Sequence, residues 1–386
     1  MKMSLDHLVL RFPGPTPLPP SVERAMTLPM VARGPEMTEA IVSLSPKLKP
    51  IFGTKQEVAV MSGSGTASME TAIVNVTNSG DEVLVLVTGR FGELYASMCE
   101  AHLLHVHVLE TEWGEAADPE AVKDYLKSHP NIKAVFATFC ETSTGVINPM
   151  KDLAAVVHEY SDAVFIADGV SSVGGIAGNM DEWDIDILGT GSQKAMMTPP
   201  GLGFVAFSER AQEVAKQVTR GRFFFDYNKY IEQLAEGQSP FTPAVPLLNS
   251  LNASLDLMHE EGIENVFARH RLLSDMTRAA FKQWNIPLTA SDETASPTIT
   301  GAKADDFDVE ELLAVVKKDF HIAIAGGLGK MAGKMLRIGH MGYCSPADAL
   351  QYISALEIGL VRIGKKINLG EGIQAAQEVF LSTKKV

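Results

Sequence analysis

The sequence predicts an α/β fold with a mainly parallel seven-stranded sheet, helices on both faces, and a smaller C-terminal α+β domain. From Glu57 onward, short and nearly continuous apolar runs alternate with segments of helical spacing. Such runs are typical of parallel strands that are buried on both faces, and the helical segments supply the crossovers. The expected strands are residues 58–61, 82–88, 105–109, 134–139, 164–167, 185–188 and 204–207. Ligands of such sheets bind at the carboxyl ends of the strands.

The expected helices follow from the spacing of apolar residues and from prolines at a first helical turn. They are residues 66–78, 119–128, 150–160 and 246–261. The long helix at 246–261 leads out of the sheet, and the rest of the chain contains helices and a few strands, such as residues 336–338. We therefore expect a large domain at residues 21–255 and a small domain at residues 256–386.

The first 20 residues are expected to form an N-terminal arm. Residues 12–20 are rich in proline, which fixes φ and removes backbone donors. This segment therefore cannot form a helix or an interior strand. We expect it to be extended and to lie across another part of the molecule.

The composition indicates a folded protein that binds small molecules. The chain has 386 residues, of which 46% are hydrophobic and 21% are charged, so it can bury a sizeable core. Its net charge of −14 argues against a nucleic-acid partner, because phosphate backbones attract clusters of Lys and Arg. No run of three or more adjacent Lys or Arg residues occurs in the chain, and Lys384-Lys385 is only a pair. Individual Lys and Arg residues in glycine-rich loops are therefore the candidates for binding small anions.

The cysteine pattern and the absence of long apolar runs indicate the compartment. Cys99, Cys140 and Cys344 are widely spaced and form no CxxC pair, so we expect neither a disulfide framework nor a metal site. No signal peptide and no run of membrane-spanning length is found in the sequence. We expect a cytoplasmic protein without a membrane partner.

A serine- and glycine-rich loop, Ser62-Gly63-Ser64-Gly65-Thr66, joins an expected strand to an expected helix. Glycines allow a tight turn, and the free N–H groups at the start of a helix form an anion site. The loop lacks the third glycine and the acid of a dinucleotide-binding fingerprint, and no Walker A loop is present in the chain. The loop therefore predicts either a phosphate site or an ordinary helix-capping turn.

An acid and a lysine follow two of the buried strands. Asp168 ends the run Ala163-Val164-Phe165-Ile166-Ala167, where a carboxylate caps the next turn or points at a ligand. That ligand could be a pyridine nitrogen, a ribose or Mg²⁺. Lys194 ends Gly189-Thr190-Gly191-Ser192-Gln193-Lys194, and a lysine at a sheet edge can lose its proton and attack an aldehyde. The alternative for Lys194 is a solvated surface residue.

Taken together, these motifs resemble the fold-type I pyridoxal-phosphate enzymes, and specifically the class V aminotransferases of the alanine/serine–glyoxylate group. The resemblance covers nearly the whole chain. Its segments are Phe12-Pro13-Gly14-Pro15-Thr16, the Ser62–Thr66 loop, Glu141-Thr142-Ser143-Thr144-Gly145, Gly191-Ser192-Gln193-Lys194 and Leu336-Arg337-Ile338-Gly339. The third and fourth segments are quite specific for the group.

The resemblance implies pyridoxal 5'-phosphate as cofactor and assigns roles to individual residues. Lys194 and Asp168 would be catalytic, the first as the Schiff-base lysine and the second as partner of the pyridinium nitrogen. The other cofactor-binding residues would be Ser64, Gly65, Thr66 and Gln193 at the phosphate, Thr142 near the phenolic oxygen, and Val170 and Phe91 on the two ring faces. Arg337 would clamp the substrate carboxylate, and Gly14 would also border the substrate.

The resemblance also implies a homodimer, in which the family places a Tyr and a Thr of the neighbouring subunit at the phosphate. Thr242 matches that Thr, whereas Ser239 stands at the Tyr position. Arg33 lacks the preceding His that the family often has, since residue 32 is Ala.

The implied activity is transfer of an amino group from a small amino acid, alanine or serine, to glyoxylate or pyruvate. Ureidoglycine or aminoethylphosphonate transamination is an alternative. Cysteine desulfuration is disfavoured because Cys344 follows Arg337, whereas a desulfurase needs its cysteine on a loop before that arginine. A non-catalytic regulator would need a basic DNA-binding domain, and a plain nucleotide-binding domain lacks its fingerprints.

Overall fold

In the computed structural model, which describes residues 8–29 and 31–383, the chain folds around two main sheets and a two-stranded ribbon. The strands are β1 (Val9–Arg11), β2 (Val58–Ser62), β3 (Glu82–Val87), β4 (His105–Glu110), β5 (Ala134–Thr138), β6 (Cys140–Glu141), β7 (Val146–Ile147), β8 (Val164–Asp168), β9 (Ile187–Gly191), β10 (Leu202–Phe207), β11 (Ile299–Lys303), β12 (Ile322–Gly326) and β13 (Met335–Gly339). The helices are α1 (Pro20–Ala25), α2 (Pro35–Phe52), α3 (Gly65–Val76), α4 (Arg90–Ala101), α5 (Pro119–Ser128), α6 (Met150–Tyr160), α7 (Glu209–Gln217), α8 (Tyr227–Ala235), α9 (Val245–Glu261), α10 (Ile263–Gln283), α11 (Val309–Phe320), α12 (Pro346–Arg362) and α13 (Glu371–Ser382).

The larger sheet has seven strands in the order β2-β10-β9-β8-β5-β3-β4. Only β10 runs antiparallel to its neighbours, so the carboxyl ends of the other six strands meet at one edge. The predicted α/β class with a mainly parallel sheet is confirmed. All seven predicted strands are present, with shifts of one to three residues at their ends.

The two faces of this sheet are covered by different helices. Leu84, Leu86 and Phe165 point to a core shared with α2, α5, α6 and α9. The alternating residues Val85 and Ile166 point to a second core shared with α3, α4, α7 and α8. Alternation of side chains along a strand explains this division, because every buried strand must supply apolar residues to both faces.

Strand β9 is displaced from its predicted position, residues 185–188, toward the glycines that follow. Asp186 lies before the strand, where its carboxylate accepts hydrogen bonds from the backbone of Phe165 and from Arg210. Gly189 and Gly191 are poor strand formers, yet both pair with β10. Tertiary packing therefore decides the strand's position.

Those glycines let helix α3 lie directly on the strand. A Cβ at Gly189 would lie 2.1 Å from Cε of Met69, and a Cβ at Gly191 would lie 2.9 Å from the backbone nitrogen of Gly65. Both distances are shorter than van der Waals contact, so a larger residue would push the helix away. The start of α3 is thereby held beside the segment that leads to Lys194.

The second sheet has the order β1-β12-β13-β11 and packs against α10 to α13. Strand β1 forms its edge, parallel to β12, whereas β13 is antiparallel to β11 and β12. The N-terminal arm therefore contributes a short strand to the C-terminal sheet, which the sequence analysis does not predict. Residues 12–19 then form no helix or strand, as expected from their prolines, and α1 begins at Pro20.

None of the helices within residues 8–29 and 31–383 is long and apolar enough to cross a membrane.

Candidate active site

One cleft at the carboxyl edge of the large sheet brings together most of the predicted site residues. It has a volume of about 310 Å³. The predicted residues that line it are Gly14, Ser64, Gly65, Thr66, Phe91, Asp168, Val170, Gln193 and Lys194. Four of the parallel strands, β2, β3, β8 and β9, lead into the loops that carry these residues, and the arm supplies Gly14.

Lys194 lies at the bottom of the cleft, where only 9% of its surface is exposed. Its Nζ donates a hydrogen bond to the carbonyl of Pro13, and its own carbonyl accepts one from Oγ1 of Thr16 at 2.9 Å. The arm therefore covers the lysine. A Cβ at Gly14, where φ is +127°, would lie 2.6 Å from Cδ of Lys194, so only glycine lets the arm approach so closely.

Burial lowers the pKa of Lys194 to about 8, from an ordinary value of 10.5. The nearby thiol of Cys140 raises this pKa, the positive charge of Arg337 lowers it, and the carboxylate of Asp168 raises it. The neutral form of the amine is therefore far more populated near neutral pH than in an ordinary lysine, although the charged form still predominates. A neutral amine is the form that attacks a carbonyl carbon.

Asp168 ends strand β8, which pairs with β9 so that Asp168 lies opposite Gly189. Its Oδ1 accepts a hydrogen bond from the backbone N–H of Val170 at 2.8 Å, and its Oδ2 has no hydrogen-bond partner among the described residues. Burial raises the pKa of Asp168 to about 6, although the bond from Val170 acts in the opposite direction. One carboxylate oxygen thus remains for a ligand in the cleft.

The N-terminus of helix α3, where backbone N–H groups have no partner within the helix, lines the same cleft. Ser64 is the N-cap residue, but its hydroxyl makes no capping hydrogen bond to the helix and is free to donate to a ligand. A Cβ at Gly65 would lie 2.4 Å from Cγ2 of Val170, so glycine is needed there too. Oε1 of Gln193 is buried without a hydrogen-bond partner among the described residues.

Phe91 reaches the cleft from the first turn of helix α4. Its backbone N–H and that of Gly92 donate to the carboxylate of Glu141, at 3.2 and 3.3 Å. Glu141 is fully buried. The sequence shows Glu141 only as part of the motif that begins with it, because its contact with Phe91 spans 50 residues of chain and leaves no local pattern.

Thr142 and Arg337 lie next to the cleft and contact each other. Nη1 of Arg337 donates to the carbonyl of Thr142 at 3.1 Å, and its Nε donates to the carbonyl of Gly326 at 2.9 Å. The hydroxyl of Thr142 lies 2.5 Å from the hydroxyl of Ser171, a residue that sequence analysis does not single out.

Arg337 is 5% exposed, and no described carboxylate lies within 4.0 Å of it. Burial lowers its pKa to about 10, and the negative charge of Glu141 raises it. Its guanidinium therefore stays charged at neutral pH. A buried charge without an oppositely charged partner costs folding free energy, and a ligand carboxylate would supply that partner.

Like Thr142 and Arg337, Thr242 is a predicted site residue that does not line this cleft. It is exposed and lines a separate cavity of about 440 Å³, together with Ser239, Arg33 and Gly34. Nearby, Phe223 is 71% exposed, and Phe224 stacks on Phe241 with ring centroids 4.9 Å apart.

The cleft residues fit pyridoxal 5'-phosphate on chemical grounds. A helix N-terminus with an unused serine hydroxyl suits a phosphate, a free carboxylate oxygen suits a pyridinium nitrogen, and a buried amine suits an aldehyde. All three features open onto the same cavity. Within the described part of the chain, no three His, Cys, Asp or Glu residues are grouped as ligands for a metal.

Comparison with known proteins agrees with this chemistry. Residues 25–346 match the aminotransferase class-V family, and the chain belongs to that family. An uncharacterized aminotransferase of Methanocaldococcus jannaschii is 40% identical over 99% of this chain and 100% of its own length. The L-aspartate–glyoxylate aminotransferase of Paracoccus denitrificans is 37% identical over 96% of each chain. The crystal structure of the ureidoglycine–glyoxylate aminotransferase of Bacillus subtilis superimposes with a TM-score of 0.92, at 31% identity, over 99% of this chain and 100% of that chain.

Proposed function

We propose that this aminotransferase uses pyridoxal 5'-phosphate bound at Lys194, and that it moves the amino group of alanine or serine to glyoxylate or pyruvate. The observation that carries the proposal is the convergence of a buried amine with a lowered pKa, a free carboxylate oxygen and a helix N-terminus in one cleft. Several relatives and solved structures that are similar to this chain are named for glyoxylate, which supports this acceptor.

In this proposal the residues of the chain hold the cofactor, orient the substrate and move protons. When bound, the cofactor supplies an aldehyde and an electron-withdrawing pyridinium ring. Asp168 keeps the ring nitrogen protonated through its free oxygen, while Phe91 and Val170 flank the ring. Ser64, Gly65, Thr66 and Gln193 hold the phosphate, and Thr142 lies near the phenolic oxygen. Lys194, once its amine is free, would take a proton from the substrate Cα and deliver it to the aldehyde-derived carbon C4′ of the cofactor.

The proposed substrate class follows from the charges around the cleft. Arg337 orients the α-carboxylate through the part of its guanidinium that makes no hydrogen bond to the described residues. Among the described residues that line the cleft, Lys194 is the one cation. A second carboxylate on the donor would find no fixed positive charge there, which favours a small neutral side chain.

Other reactions of related enzymes are less well supported. A cysteine desulfurase needs a reactive thiolate, but all three cysteines are buried, and burial raises the pKa of Cys344 to about 11. Ureidoglycine remains the second candidate donor, because the neighbour from Bacillus subtilis is named for that substrate.

We also propose that the protein is a cytoplasmic homodimer of chains with a large domain at residues 21–255 and a small domain at residues 256–386. Thr242 is exposed beside the aromatic residues Phe223 and Phe224, on a surface outside this chain's own cleft. In the dimer Thr242 would reach the phosphate site of the partner chain.

Lys194 is expected to carry the cofactor. Purified protein with added pyridoxal 5'-phosphate should turn yellow, and borohydride should fix the cofactor's mass on the Lys194 peptide. Colour should develop faster as the pH rises through about 8, because burial lowers the pKa of Lys194 to that value and only the neutral amine attacks. Labelling of another lysine, or no label, would contradict the assignment, and Lys194→Arg is the matched control.

Replacing Arg337 with Ala should reduce kcat/KM for alanine by about 100-fold or more, since a buried charge-assisted pair is lost. Simple amines without a carboxylate should lose no more than about twofold, because they never use that pair. Arg337→Lys keeps the charge without the planar fork and should recover only part of the activity. Equal losses for both kinds of donor would refute the clamp.

The dimer proposal can be tested with hybrid molecules. Thr242→Ala should weaken phosphate binding in a homodimer, and Lys194→Ala should abolish activity. A hybrid of the two variants, coexpressed with different tags, should regain one intact site with tight cofactor binding, because the Lys194→Ala chain donates its Thr242 to the other subunit. A hybrid as weak as the Thr242→Ala homodimer would show that Thr242 does not act across the interface.

A further inference from the structure

Glu141 is fully buried between the start of helix α4 and the loop that follows β6. Four donors point at its carboxylate. Oε1 accepts from the backbone N–H of Ser143 at 2.9 Å and from the Ser143 hydroxyl at 2.6 Å. Oε2 accepts from the N–H groups of Phe91 and Gly92 at 3.2 and 3.3 Å. One carboxylate therefore joins the loop after β6 to the start of helix α4.

The α4 side of this contact carries Phe91, which lines the cleft. Two N–H groups at the start of α4 have no acceptor within the helix, and the Glu141 carboxylate accepts hydrogen bonds from both. Its negative charge also interacts favourably with the positive end of the helix dipole. The backbone there approaches so closely that a Cβ at Gly89 would lie 2.5 Å from Cγ of Glu141. The position of Phe91 is thus set by the carboxylate.

On the other side of Glu141, the loop after β6 contacts Arg337. Thr142, next to Glu141, accepts the hydrogen bond from Nη1 of Arg337 through its carbonyl. Ser143, which Glu141 holds by two hydrogen bonds, also accepts a bond from the N–H of Arg90 at 3.1 Å. Moving the Glu141 carboxylate would therefore shift both the Phe91 backbone and the Thr142 carbonyl.

We infer that Glu141 is a positioning residue that couples the ring-flanking Phe91 to the carboxylate-binding Arg337, an inference that rests on the proposed function. Glu141 does not line the cleft itself. It acts by fixing the distance between Phe91, which flanks the ring, and Thr142, whose carbonyl accepts a hydrogen bond from Arg337. Oε1 accepts from Ser143 and, at 3.4 Å, also from the N–H of Phe91, while Oε2 accepts from Phe91 and Gly92. Both oxygens must therefore be acceptors, and an isosteric amide, with one acceptor oxygen, cannot serve all four donors.

The test compares Glu141→Gln with Glu357→Gln. Glu357 is a matched control, because it is also buried and accepts hydrogen bonds from Nε1 of Trp284 and from the N–H groups of Gly370 and Gly372, outside the cleft. Both variants place an NH₂ group against a buried donor and should lower the melting temperature. Only Glu141→Gln should raise the Kd of pyridoxal 5'-phosphate and the KM of alanine, each by about tenfold, and weaken the circular dichroism of the bound cofactor.

Equal cofactor dichroism, Kd and KM in the two variants would overturn the inference while leaving the proposed function intact. A wild-type protein that binds no pyridoxal 5'-phosphate would overturn the proposed function and this inference with it. If Glu141→Gln does not fold, Ser143→Ala removes one of the four donors and keeps the carboxylate. It should change the same three quantities in the same direction by about threefold, and unchanged values would count against the coupling.

Discussion

The site depends on the close contact between helix α3 and strand β9. Gly189 and Gly191 leave room for Met69 and for the backbone of Gly65, so the start of the helix lies against the strand that leads to Lys194. A helix N-terminus attracts anions only within its first turn, so this contact places an anion site and an amine in the same small cavity. Because Gly65 has no side chain, the start of α3 can also lie against Val170, in the loop that follows β8.

Burial then gives the charged groups their chemical character. Away from water, the charged form of each group is disfavoured, so the pKa values of Lys194 and Arg337 fall and those of Asp168 and Glu141 rise. Charges held in this way cost folding free energy, and they persist because a ligand with opposite charges pairs with them. Burial lowers the pKa of Lys194, and Arg337 is buried without a carboxylate partner among the described residues.

Much of the fold and part of the site follow from sequence pattern because both depend on short periodicities. Apolar runs reveal the buried strands, and parallel strands bring their carboxyl ends together, so Asp168 and Lys194 can be placed in one cleft without coordinates. Contacts that join distant segments leave no local signal. Strand β1 is three residues long and pairs with β12 across the chain, and Glu141 meets Phe91 across 50 residues. Thr242 lies outside this chain's cleft, so no pattern within one chain can assign its ligand.

We propose that Asp168 holds a protonated ring nitrogen in the cleft that contains Lys194. Nuclear magnetic resonance of the protein reconstituted with pyridoxal 5'-phosphate labelled with ¹⁵N in the ring measures that proton directly. The account predicts a protonated nitrogen in the wild-type protein at neutral pH and an unprotonated one in Asp168→Asn, because an amide cannot stabilise the positive ring. An unprotonated nitrogen in the wild-type protein, or the same resonance in both proteins, would contradict the account.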